Sequence, residues 1–258
     1  MLTVISPAKS LDMSRVDIAP TDPIWQDDAV RLSKTAKNLP LKGLKAMMSI
    51  SDDLARLNRD RFQAFEAAPE ASQVKAAALA FNGDTYQGLE AKTFTEEDRR
   101  WAQDHLRILS GLYGLLRPLD GIQPYRLEMG SRMKTRRGAS LYDYWGDQIA
   151  KGLRVQAEVV GTETLVNCAS EEYFKAADRK ALGLRIITPV FMEVKEAKPR
   201  IVSFFAKRAR GAMARFAVEQ QITAAEGIKA FATGGYAFDA DLSEGDRWVF
   251  TRPYPEAA

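Results

Sequence analysis

Leu2-Thr3-Val4-Ile5-Ser6-Pro7-Ala8-Lys9 opens the chain, and its reading decides the fold. Four β-prone residues in a row describe a short buried strand, and proline stops the ladder at Pro7. Ser6 and Lys9 are left at the strand's C-terminal end. Farther along, Leu106 to Ser110, Glu163 to Val166 and Trp248 to Thr251 read as strands of the same kind. Ala77 to Phe81 is expected as another, just before the turn signal Asn82-Gly83-Asp84. Leu184 to Phe191 and Arg200 to Phe205 are expected to pair as a hairpin, with Glu196-Ala197-Lys198-Pro199 at its tip.

Between these strands lie helical patterns. Residues 25–39 and 41–48 read as helices split by Pro40. Ser51 is a good N-cap for the next helix, whose first turn carries Asp52 and Asp53. Leu54, Leu57 and Phe65 outline its apolar face. Thr95 and Asp98 have the spacing of a capping box. Strands and helices alternate without a fixed period or repeat, so the expectation is one mixed α/β domain over 1–258 with a helical insertion near 25–70.

The bulk numbers fit that size. Of 258 residues, 46% are apolar and 28% charged, with a formal net charge of +3. Such a chain buries roughly three-quarters of its unfolded surface and needs no staples. One cysteine, Cys168, excludes an internal disulfide, and one histidine, His105, excludes a histidine-rich metal centre. No metal or cofactor is expected. The N-terminus lacks a signal-peptide pattern and no segment is apolar enough to span a bilayer, so a cytoplasmic location is expected. His105, between Trp101 and an apolar run, reads as a packed helix residue. Cys168 reads as a buried small apolar group and not as a peroxide-sensing thiol.

The charge is unevenly spread. No acid occurs from Arg200 to Val218. On a helix over 206–222, Lys207, Arg208, Arg210 and Arg215 fall within one arc, and Ala209, Met213, Phe216 and Gln220 fall on the other. Gly211 sits inside the basic arc, where it would let another backbone approach. Four uncompensated cations on one face would attract a phosphate backbone with salt-dependent, sequence-tolerant affinity. A second cluster, Arg126, Arg132, Lys134, Arg136 and Arg137, is opposed locally by Glu128 alone.

Six runs in order resemble the peroxide-stress YaaA family. They are Ile5 to Asp12, Phe81 to Tyr86, Leu109 to Met129, Leu141 to Asp147, Ala169 to Lys175 and Ser203 to Phe216. The resemblance implies a fold peculiar to the family and a double-stranded or structured DNA ligand in a positively charged cleft. It also implies a helix-hairpin-helix element and a role in limiting iron-linked oxidative damage. The segment 41–66 is the counterpart of that element. Its turn, Ser49-Ile50-Ser51, lacks the usual glycines, and Asp52 and Asp53 beside it would repel a phosphate. Lys9, Arg117, Arg126 and Lys175 are further candidate DNA contacts.

An enzyme is the alternative. Polar residues gather next to expected strand ends, where ligands bind in open α/β sheets. Asp84 with Glu171 or Glu172 would supply a general acid and base, and Arg126 a phosphate clamp. A nucleotide- or base-processing reaction would suit that set, although no P-loop, dinucleotide fingerprint or nucleophile elbow is present.

Overall fold

The computed structural model describes residues 1–255. Its first part runs β1 (Leu2–Ile5), β2 (Ser10–Leu11), α1 (Gln26–Lys37), α2 (Leu41–Met48), α3 (Asp52–Ala64), β3 (Lys75–Ala76), α4 (Ala77–Ala80) and β4 (Phe81–Asn82). Then come α5 (Asp84–Leu89), α6 (Glu96–His105), β5 (Leu106–Ser110), β6 (Gly114–Leu116), β7 (Gly121–Ile122), α7 (Leu141–Trp145) and α8 (Gln148–Val159). The last part is β8 (Thr164–Cys168), α9 (Glu171–Phe174), β9 (Arg185–Lys195), β10 (Lys198–Arg200), α10 (Ser203–Glu219), β11 (Ala237–Glu244) and β12 (Arg247–Pro253).

Eight strands form one mixed sheet in the order β11-β12-β9-β8-β1-β5-β6, with β10 added to the far end of β9. β5, β1, β8, β9 and β12 run parallel; β6, β10 and β11 are antiparallel to their neighbours. β1 is central, and all four of its residues are buried. That suits a strand covered on both faces, whose apolar residues need not alternate with polar ones. Parallel neighbours need crossovers, and helices supply them. The chain leaves β1 for β5 on one side, then crosses back to β8 on the other. The strand order therefore reverses between β1 and β8, which makes a crevice outside their C-terminal ends.

α1, α2 and α3 form the insertion expected near 25–70, and the Thr95–Asp98 capping box is formed on α6. No described helix is long and apolar enough to cross a membrane.

Three local expectations are corrected. Residues 77–81 are not a strand: Ala77–Ala80 close a helical turn between two short bridges, β3 and β4. Three alanines in the four residues 77–80 lack the branched side chains that hold a strand extended. The hairpin's second arm is Lys198–Arg200, earlier and shorter than expected: Lys198 and Pro199 already pair with β9, which leaves Glu196 and Ala197 as the tip, and Ser203 already begins α10. Phe204 and Phe205 belong to a 17-residue helix, so the longer period overrides their β propensity. On α3 the buried face is Ala55, Asn58 and Phe62, while Leu54 and Leu57 are exposed. β11 has no clear signal in the sequence, because Ala237-Phe238-Asp239-Ala240-Asp241-Leu242 carries two acids and stands at the sheet margin with little buried.

Candidate functional site

The crevice between β1 and β8 is closed by hydrogen bonds. Ser170 N–H donates to Ser6 Oγ at 2.8 Å, and the Ser6 hydroxyl reaches Ser170 Oγ at 3.3 Å. Tyr86 OH, from α5, donates to the Ser6 carbonyl at 3.1 Å. Beside them Ser110, at the end of β5, meets Tyr125 OH at 2.6 Å. Burial raises the pKa of the Tyr86, Tyr125 and Tyr173 phenols, so they act here as neutral hydrogen-bonding groups. Lys9 Nζ lies 2.5 Å from Glu128, which also faces Arg126 at 3.6 Å. Arg126 Nε is buried and has no hydrogen-bond partner among the described residues.

The three carboxylates of the enzyme reading stand around this crevice. Asp84 begins α5, and Glu171 and Glu172 begin α9. Glu172 accepts from Gly130 N–H at 2.9 Å and so ties the 130s loop to α9. No hydrogen bond or ion pair among the described residues joins Asp84 to Glu171 or to Arg126. Asp12, in the first family-like run, is committed to packing. Lys92 lies 2.9 Å from its carboxylate, and the buried Lys75 donates to its carbonyl at 2.8 Å.

The basic helix is α10, and its two ends differ. Lys207 and Arg208 are exposed and Arg210 is half-buried; none has an ion-pair partner among the described residues. Arg215 corrects the expectation of four uncompensated cations. Its guanidinium lies 3.2 Å from Glu90 and 2.6 Å from Glu219, and it donates to Thr93 Oγ1 at 2.7 Å. Gly211 is also occupied from within. A Cβ there would stand 1.7 Å from the Thr85 carbonyl oxygen, and one on Gly88 would stand 2.0 Å from that of Arg208. The close backbone approach that glycine permits is therefore that of α5 against α10.

The other expected contacts vary in the same way. Arg117 is structural, with its Nε 2.9 Å from the fully buried Asp120 and its Nη2 donating to the Asp22 carbonyl. Lys175 is exposed and stands over the Tyr142 ring at 5.3 Å. In the loop, Arg137 pairs with Asp28 at 3.1 Å and covers the Tyr144 ring, whereas Arg132, Lys134 and Arg136 are exposed without an ion pair among the described residues. In the α2–α3 turn, Ser49 takes the left-handed conformation at φ 52° that glycine usually fills. Ile50 is buried, and Ser51 Oγ caps the Leu54 amide at 3.4 Å. Asp52 is drawn to Lys45 at 2.9 Å, which offsets part of the repulsion expected there.

One feature escaped the sequence. A groove of about 1100 Å³ lies between the 13–20 loop and α3. Its walls mix signs, with Arg15 and Arg61 against Asp17, Asp60 and Glu70. The exposure of Leu57 toward it breaks the apolar face read for α3, and that odd leucine is the one local signal.

His105 stacks on Trp101 with centroids 3.8 Å apart, and its Nδ1 lies 2.9 Å from the Met1 carbonyl. Cys168 is buried, and burial pushes its thiol up to about 12, the opposite of an acidified sensing thiol.

A family model described as peroxide stress protein YaaA matches residues 1–242. A UPF0246 protein of Ruegeria pomeroyi is 64% identical over 254 residues, covering 98% of this chain and 99% of that relative. UPF0246 proteins of Jannaschia sp. and Phenylobacterium zucineum are 59% and 50% identical. Those two alignments cover 98% and 99% of this chain and 97% and 96% of the relatives. With matches of that length and closeness, the chain belongs to the peroxide stress protein YaaA family.

Proposed function

We propose that the protein binds the phosphate backbone of duplex or branched DNA, with the N-terminal half of α10 as the main contact. The observation that carries this reading is the exposure of Lys207 and Arg208 on α10, with no ion-pair partner among the described residues. Arg210 adds a half-buried charge behind them, and Arg132, Lys134 and Arg136 offer a second cationic set on the loop. Such contacts are indifferent to base sequence and weaken steeply with salt. Their role in peroxide stress follows from the same physics. Cations laid along DNA release its condensed counterions, and ferrous iron held there would leave with them. Peroxide then meets less iron at the backbone.

The test is binding to a labelled random-sequence duplex across a salt series. The wild-type affinity falls steeply with salt. The Lys207→Glu, Arg208→Glu double variant binds all sequences more weakly, and its logarithmic salt slope is shallower by about 2. An unchanged slope in that variant removes α10 from the site.

A further inference from the structure

Phe204 is 47% exposed and Tyr254 42% exposed, both large rings left in solvent. They belong to one aromatic row. Phe204 lies 5.5 Å from Phe205, and Phe205 meets Tyr254 at 6.1 Å, edge to face. Phe205 is held from behind by Arg252, 4.6 Å from its ring, so the middle of the row is fixed. Arg252 in turn pairs with the fully buried Glu193.

Cations flank the row on both sides. Lys207 and Arg208 follow Phe204 by three and four residues on α10, which puts all three on one face of the helix. Arg200, at the end of β10, precedes Phe204 by four residues and is exposed. Lys195 Nζ stands 5.5 Å from the Tyr254 ring. Between Lys195 and Arg208 the sequence has five cations and one acid, Glu196. None of the five has an ion-pair partner among the described residues.

Rings between uncompensated cations match the alternation of bases and phosphates in an unpaired strand. Paired bases are already stacked on one another and gain nothing from an exposed phenyl ring. An unpaired base gains a stacking partner, and the gain is tolerant of sequence because every base has a π-face.

We infer that this surface binds single-stranded DNA, with Phe204 and Tyr254 stacking on unpaired bases while Arg200, Lys207 and Arg208 hold the phosphates. The inference rests on the phosphate contacts proposed above and adds a second set of contacts, to the bases of an unpaired strand.

The test compares a labelled oligothymidine with a duplex of equal length, using the full chain and fluorescence anisotropy. In the Phe204→Ala, Tyr254→Ala variant, affinity for oligothymidine drops about 10- to 100-fold while duplex affinity stays within about twofold. Far-UV circular dichroism and the melting temperature match the wild type, because both rings are largely outside the core. The Lys207→Glu, Arg208→Glu variant loses both ligands. Wild-type affinity for oligothymidine in the aromatic variant overturns the inference and leaves duplex binding standing. Oligothymidine binding without duplex binding overturns the duplex reading and leaves this one standing. Co-sedimentation with phosphatidylglycerol vesicles that depends on Phe204, with no binding to either DNA, overturns both.

Discussion

The two ends of α10 carry the same residue type on the same arc, yet they do different work. At the N-terminal end Arg208 stands in solvent with no carboxylate partner among the described residues. Two turns later Arg215 is clamped between Glu90 and Glu219 and stands over the Phe94 ring. One of its two acids, Glu219, lies one turn farther along α10, and the other, Glu90, comes from 125 residues away in the sequence. A helical projection counts charges on a face but cannot count the partners that other elements bring to it. Cation density and cation availability are therefore separate quantities, and only the second attracts a phosphate.

The sharpest way to break this contrast is at Gly211, which lies between the two ends. If its role is to let α5 pack, Gly211→Ala forces a Cβ into the Thr85 carbonyl. The expected loss of stability is about 3 kcal/mol, read as a lower urea midpoint, and DNA affinity falls only as far as the folded fraction falls. A variant of wild-type stability that has lost DNA affinity would instead return this glycine to the ligand. Arg215→Gln gives a smaller effect of the same sign. It removes a charge-assisted network and is expected to cost about 1–2 kcal/mol of stability, with the duplex salt slope unchanged. A shallower slope in Arg215→Gln, measured where the protein is fully folded, would place that guanidinium on DNA and erase the difference between the two ends.

How much of this was legible follows the same division. The central strands were, because a buried parallel strand writes its burial into a continuous apolar run: Leu2 to Ile5 needs no partner to be read. The capping box at Thr95 and Asp98 was legible because both halves sit within one turn. Ala77 to Ala80 folds as its alanines prefer, against the strand expected there from its apolar run, whereas from Ser203 to Phe205 local β propensity lost to the helical period. The site divides likewise. Lys207 and Arg208 were found by counting, and they have no ion-pair partner among the described residues. Arg215 was found by the same count, but Glu90 and Glu219 hold it, and Arg117, named separately as a further candidate contact, is held by Asp120. The aromatic row had no signal at all, since Phe204 read as part of a hairpin strand and Tyr254 is 50 residues away from it in the chain. Only the folded sheet brings the two to one surface.

The smallest expected effect tests whether held groups are as held as they look. His105 is the titratable counterpart of Arg215: stacked on Trp101 and bonded to the Met1 carbonyl through Nδ1. Burial pushes its pKa below the ordinary 6.5, with the Met1 contact opposing. The folded state thus prefers the neutral ring. Above the ordinary value both states are neutral and the fold bears no penalty. As pH falls below it, the unfolded chain takes up a proton that the folded chain resists, so stability declines until the folded ring also titrates. The urea midpoint of the wild type should therefore fall between about pH 7.5 and about pH 5.5 by more than that of His105→Gln, which cannot take up the proton. Groups remote from position 105 titrate equally in both proteins, so the difference reports this ring together with the Met1 ammonium that faces it. Parallel pH profiles would mean that His105 is solvated and free, like Arg208, and that stacking on Trp101 does not hold it.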